Sequence, residues 1–171
     1  MYMKQKHTIG LANILAVGIL FVVISTFTQT AETASMTKVV KSVDESTTGF
    51  DIPPQDDDEL ALVLNKNKKY VIRGTLFPHG EGSDMRIAAT VPNGAVFVVG
   101  YDSAQGTGVL EESGVEAQSF GLDEAASAVS VDGIVTMGNQ SGEFRLQWGQ
   151  FSSEGSTTTV KSGSFLIAEP I

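Results

Sequence analysis

The sequence predicts an all-β, antiparallel β-sandwich of jelly-roll-like type preceded by one N-terminal transmembrane helix, and three observations carry that prediction. Nineteen consecutive uncharged residues stand at positions 9–27. Beyond residue 37, apolar side chains recur at every second position rather than with helical spacing, and turn signals containing glycine separate the alternating runs. The chain therefore divides into a short basic N-terminus (1–8), a membrane helix (9–27), a linker (28–36) and a β-sandwich domain (37–171).

The first element is IGLANILAVGILFVVISTF, whose apolar surface comes from Ile9, Leu11, Ile14, Leu15, Val17, Ile19, Leu20, Phe21, Val22, Val23, Ile24 and Phe27. As a helix it spans roughly 28 Å, close to the hydrocarbon thickness of a bilayer. No polar face is left for packing in a soluble domain. Lys4 and Lys6 precede it and Glu32 is the first acid after it, so the positive-inside rule holds the N-terminus back and sends the domain across. A cleaved signal peptide is the rival reading, with Thr33 and Ser35 as its one tolerable cleavage pair. A pilin-type leader lacks its glutamate near the fifth mature position. The expectation is a retained single-pass anchor, followed by the small polar linker TQTAETASMT.

Strands are expected near residues 37–43, 59–64, 69–77, 84–91, 95–101, 115–120, 128–137, 142–150 and 158–168. Tyr70, Ile72, Gly74 and Leu76 alternate with Val71, Arg73, Thr75 and Phe77; Phe144, Leu146 and Trp148 alternate with Arg145, Gln147 and Gly149. Pro78-His79-Gly80, Pro92-Asn93-Gly94, Asp132-Gly133, Ser141-Gly142 and Lys161-Ser162-Gly163 read as turns, the second of them as a hairpin. The expected core centres on Tyr70, Ile72, Leu76, Phe144, Leu146, Trp148, Phe165 and Ile167, with Leu60, Leu62, Ile87, Val98 and Phe120. Apolar positions on both faces of the strand around residues 70–77 suggest a sheet completed by oligomerisation.

Composition excludes several functions. There is no cysteine, so neither disulfides nor Cys-based metal sites can form, and two histidines, His7 and His79, make no imidazole cluster. Eleven basic residues against twenty acidic ones give a net charge of −9, which argues against nucleic acid as a partner, since that binding depends on cations displacing phosphate counterions. No catalytic residue and no cofactor site is predicted, and the chain is not expected to be an enzyme.

Among candidate sites, Asp56, Asp57 and Asp58 could offer hard oxygen ligands to calcium, but the run lacks EF-hand spacing and reads more simply as the solvated start of a strand. His79 with Ser83 lacks a nucleophile elbow. Lys66, Lys68 and Lys69 are interleaved with asparagines in what looks like a hairpin loop. Trp148 is either a sugar-stacking platform or, by its alternation, a core residue. Residues 102–114 form a glycine- and serine-rich loop suited to recognition. Glu111 and Glu112 are adjacent and give no glycosidase geometry.

The segments ELALVLNKNKKYVIRGTLF, DMRIAATVPNGAVF, GEFRLQWGQ and STTTVKSGSFLIAEPI together resemble a domain that recurs in bacteriophage virion proteins, especially minor tail and fibre proteins. Its most specific parts are Leu146-Gln147-Trp148-Gly149-Gln150 and Thr158-Thr159-Val160-Lys161-Ser162-Gly163-Ser164. Gly149 and Ser162 stand where that family usually has alanine, and tail-associated members generally lack a membrane helix. The resemblance covers residues 37–171 and implies a β-sandwich virion domain with no catalytic residues to carry over.

The expected function is that of a membrane-anchored minor capsid or virion structural protein. Its partners would be the lipid bilayer and other virion proteins (capsid or spike), or a host surface for attachment, in a homo-oligomer or multicopy assembly. Its location would be a viral membrane, or the host inner membrane during assembly, with the C-terminal domain translocated. The alternative is a bacterial membrane-anchored adhesin or carbohydrate-binding module.

Overall fold

The computed structural model describes residues 35–48, 53–80, 82–115, 119–122, 128–151 and 156–171. Two compact units, Met1–Thr33 and Ala34–Ile171, divide the chain, and the second holds all of these residues. The expected membrane helix at 9–27 and most of the linker lie outside the described residues. Among those that are described, no helix is long and apolar enough to cross a membrane.

The second unit is built from antiparallel strands: β1 Thr37–Val40, β2 Glu45–Thr48, β3 Gln55–Leu64, β4 Lys69–Leu76, β5 Pro78–His79, β6 Asp84–Thr90, β7 Val96–Ser103, β8 Gly106–Leu110, β9 Phe120–Gly121, β10 Val129–Thr136, β11 Gly142–Gly149, β12 Thr157–Val160 and β13 Phe165–Pro170. A six-stranded sheet runs β1-β13-β4-β10-β7-β8, a four-stranded sheet β3-β11-β6-β9, and a small third sheet β2-β12-β5. One hydrophobic cluster joins the inner faces of the first two, the arrangement of a sandwich. Jelly-roll proteins divide eight strands between two sheets, so these counts match only the coarser sandwich description.

Tyr70, Ile72, Leu76, Phe144, Leu146 and Trp148 are buried, as are Leu60, Leu62, Ile87 and Phe120. Phe165 and Ile167, expected in the core, are half-buried instead, while Leu166 and Ala168 are buried between them. Val98 is likewise outside, with Phe97 and Val99 inside. Both corrections have one cause. The runs Phe165-Leu166-Ile167-Ala168 and Val96-Phe97-Val98-Val99 are apolar at both parities, so alternation cannot choose which set points inward, and packing decides.

Pro92-Asn93-Gly94 does form a turn, closed by the Ala95 N–H donating to the Pro92 carbonyl at 3.0 Å, with Gly94 at φ +82°. It is not a hairpin, however. β6 pairs with β11 and β9, whereas β7 pairs with β10 and β8, so the chain arches from one sheet to the other. The basic turn at 65–68 is a second arch, from β3 to β4, and residues 137–141 make a third, from β10 to β11. The latter two are tied together: Asn67 N–H donates to Gly138 O at 2.7 Å, Met137 N–H to Lys68 O at 2.8 Å, and Lys66 N–H to Ser141 Oγ at 2.9 Å.

Asp132-Gly133 is not a turn but mid-strand in β10. A Cβ at Gly133 would lie 2.2 Å from the Val98 carbonyl oxygen, so the glycine serves the close approach of β7. The expected single strand at 158–168 is two strands, β12 and β13, split where Gly163 adopts φ +88°. Within the expected loop 102–114, Gly106–Leu110 forms β8, hydrogen-bonded to β7.

Candidate functional site

The outer face of the six-stranded sheet has no neighbouring layer among the described residues, yet it carries apolar side chains. On β10, Ile134 is directly opposite Val98 of β7 on one side and Val71 of β4 on the other, making a row across three strands. Val96 lies two positions along, opposite Thr136, and Val109 of β8 faces Gly100. Relative exposures are 67% for Val96, 54% for Val98, 56% for Val109 and 40% for Ile134. Lys69, Val96, Phe97, Val98, Ile134 and Thr136 line a shallow depression of about 260 Å³ there. Charged groups bound the patch: Lys69 at one end, Asp102, Asp132 and Arg73 at the other, and at the side Glu169, level with Val71 and paired with Arg73 at 3.3 Å. An apolar centre with a polar rim is what a protein contact surface presents.

At the rim of the sandwich the placement is reversed. Lys41 and Asp57 have no solvent-exposed side-chain surface. Lys41 follows β1 directly and continues its pairing, its N–H donating to Ser164 O at 2.7 Å, which turns the side chain inward. Asp57 sits at a bulge. The register between β3 and β11 shifts so that residues 57–60 stand opposite Leu146 alone. The bulge leaves backbone N–H groups without strand partners, and Asp57 Oδ1 accepts those of Glu59 (2.9 Å) and Leu60 (2.8 Å). Its Oδ2 accepts Trp148 Nε1–H at 2.9 Å. Lys41 Nζ donates to both oxygens at 3.0 Å and to Glu45 Oε2 at 2.5 Å.

Burial acts to lower the Lys41 pKa, but the hydrogen bonds to Glu45 and Asp57 and their negative charges outweigh it, and the value lies above that of a free lysine. Glu59, on the exposed flank, is held below the usual glutamate value, first by the Ser42 hydroxyl and then by backbone N–H groups of Ser42 and Val43. Arg145 Nη1 donates to the Asp57 carbonyl at 3.0 Å, fixing the bulge from the other strand.

The structure therefore separates the residues proposed as calcium ligands. Asp56 and Asp58 are exposed on either side of a buried Asp57 whose oxygens are already taken, so the three carboxylates do not converge and the run is not a uniformly solvated strand start. Among the described residues, no three His, Asp or Glu side chains gather as a metal site would need. Trp148 is fully buried with its N–H committed to Asp57, which leaves no face for a sugar. His79 is half-buried in β5, paired with Thr159 of β12, rather than in an exposed loop. Ser83 is buried against the Thr158 hydroxyl at 3.1 Å. Sequence reasoning missed Lys41 and Glu45 altogether. The available signal was parity, since Thr37, Val39 and Lys41 share one side of a short strand and place a lysine on the core side.

No family model and no curated protein matches this chain. Solved structures that it resembles include the infectious bursal disease virus VP2 subviral particle, at a TM-score of 0.22 and 10% identity over 82% of this chain and 42% of that chain. Structures of the Gx and Gt strains of the same virus give TM-scores of 0.21 and 0.19, at 6% and 10% identity, each over 80% of this chain and over 40% and 36% of theirs. The chain thus spans about two fifths of the length of these proteins. At TM-scores of this size the likeness carries no inference about role.

Proposed function

We propose that this chain is a bacteriophage structural protein, a minor capsid or virion component anchored in a membrane by residues 9–27, whose β-sandwich docks on other virion proteins or on the host surface. The observation that carries the reading is the outward-facing apolar row of exposed Val98 and Ile134 and half-buried Val71 with its polar rim, because burying such a face is the main favourable term in protein association. The four sequence segments that resemble phage virion domains support the bacteriophage part. The uncharged stretch at 9–27 supports the anchor. Several copies per particle fit a surface that works by packing rather than by chemistry.

The test is extraction of purified particles with mild detergent followed by mass spectrometry. Recovery of the chain from particles, with peptides preceding Ser35 intact, is the expected result. Recovery from host membranes alone, never from particles, overturns the virion role; loss of every peptide before Ser35 overturns the retained anchor.

A further inference from the structure

We propose that Lys41 and Asp57 become joined by an intramolecular isopeptide bond, formed by the folded chain itself with Glu45 as the proton carrier. The proposal stands apart from the virion role and rests on the buried cluster alone. Nζ of Lys41 is 3.0 Å from each oxygen of Asp57, which places the nitrogen opposite the carboxyl carbon between them. Neither side chain is exposed to water, so the ammonium and the carboxylate are held together in a site closed to solvent, and attack begins only once Nζ has passed a proton to Glu45.

The surrounding groups are those that an acyl transfer requires. Two backbone N–H groups, of Glu59 and Leu60, converge on Oδ1 and would hold the negative charge that develops on it when nitrogen adds to the carbon. Glu45 Oε2, at 2.5 Å from Nζ, accepts a proton from the ammonium and frees the lone pair for attack. Gln55 Nε2 holds the other oxygen of Glu45 at 3.2 Å, orienting it. Trp148 Nε1–H donates to Oδ2, the oxygen that departs. The N–C bond forms and the C–Oδ2 bond breaks. Of the three ammonium hydrogens one stays on the amide nitrogen, and two leave with Oδ2 as water, one of them by way of Glu45, which ends as it began. One positive and one negative charge disappear together, and no oxidant or co-reactant enters.

The bond would join the edge of the six-stranded sheet, where among the described residues β1 pairs with β13 alone, to the bulge of β3 in the other sheet. It would lock the first strand of the domain to the sandwich. Four residues of that strand pair with β13, and Lys41 continues the pairing through its own N–H and carbonyl.

Intact-mass spectrometry of the full chain, purified in detergent, tests this directly. The folded protein is expected to be lighter than its sequence by one water, about 18 Da, and Lys41→Arg to show no such deficit. Cleavage after glutamate then separates Lys41, in a peptide ending at Glu45, from Asp57, in residues 46–59. The two are expected to remain joined as one branched species, and Glu45→Gln, which removes that cleavage site and is therefore read by intact mass, is expected to keep mostly the full mass of its own sequence. A folded wild-type chain of full mass overturns the proposal. So does a deficit of one water with the two peptides separate, which is the signature of a succinimide at an aspartate.

Discussion

Charge is buried at one place in this domain and apolar surface is exposed at another, and comparing the two separates what holds the fold from what faces outward. At the rim, Lys41 and Asp57 lie entirely inside, each polar atom matched by a partner. On the outer face of the six-stranded sheet, Val96, Val98, Val109 and Ile134 stand in water with no partner layer among the described residues. The first arrangement is costly to disturb, because removing one ion strands the other in a medium that solvates it poorly. The second costs the monomer less to change, because those side chains keep much of their surface in water when the chain folds. Among the described residues, the domain thus sets a polar cluster in its interior against an apolar face left open on its outside.

The comparison is broken most severely by Lys41→Ala. Leaving the Asp57 carboxylate buried without Lys41 is expected to destabilise the domain by about 3–5 kcal/mol, read as a lowered urea midpoint. Trp148→Phe keeps the ring in the core and deletes only the N–H on Asp57 Oδ2, so a smaller loss of about 1.5–3 kcal/mol should appear in the same measurement. Were Trp148 a surface platform, that change would leave the midpoint where it is.

The exposed face should respond in the opposite way. Val98→Asp is expected to shift stability by no more than about 0.5 kcal/mol. If the face is a contact surface, the same substitution should reduce recovery of the chain with purified particles by ~10-fold, the equivalent of about 1.4 kcal/mol of contact energy. Equal recovery of variant and wild type would remove this face from the contact.

The smallest effect is expected from the surface pair Lys161–Asp44, where Nζ donates to Oδ2 at 2.7 Å and the Ser162 N–H donates to Oδ1 at 2.8 Å. The lysine hydrogen bond first, and the backbone one after it, bring the Asp44 pKa down from 3.8 to about 2. A carboxyl lowered in the folded state stabilises the fold above its unfolded pKa and loses that contribution as the pH falls toward the folded one. Asp44→Asn should therefore lower stability slightly near neutrality and flatten a small part of the decline between about pH 5 and pH 2, so that variant and wild type converge in acid. Glu59, lowered by its bonds to Ser42, acts in the same direction.

Much of the framework was legible from residue order. β4 and β11 showed their alternation plainly, and their inward sets are buried. Where a strand is apolar at both parities, as in β7 and β13, alternation allows two answers, and packing turns Val98, Phe165 and Ile167 away from the core. The turn at Pro92-Asn93-Gly94 was visible for the same local reason that Gly94 takes a positive φ, but a turn does not say whether the returning strand pairs beside the last or crosses to the facing sheet. The candidate sites were read less well. An acidic run looks solvated when composition alone is considered, and nothing local to Asp57 announces a bulge.

The sequence by itself determined that the described unit is antiparallel β, that most of its core comes from the alternating strands, and that cysteine chemistry is absent, because these follow from side-chain period and residue identity. Only the tertiary structure decided which apolar face was to be buried, which turns cross between sheets, and that Lys41, Glu45, Asp57 and Trp148 meet at one point. Those four are separated by as many as 107 positions, from 41 to 148, and they converge because a shifted register in β3 turns one aspartate inward beneath the end of β1. Local pattern fixes what each strand can be; the pairing of distant strands fixes what its side chains touch.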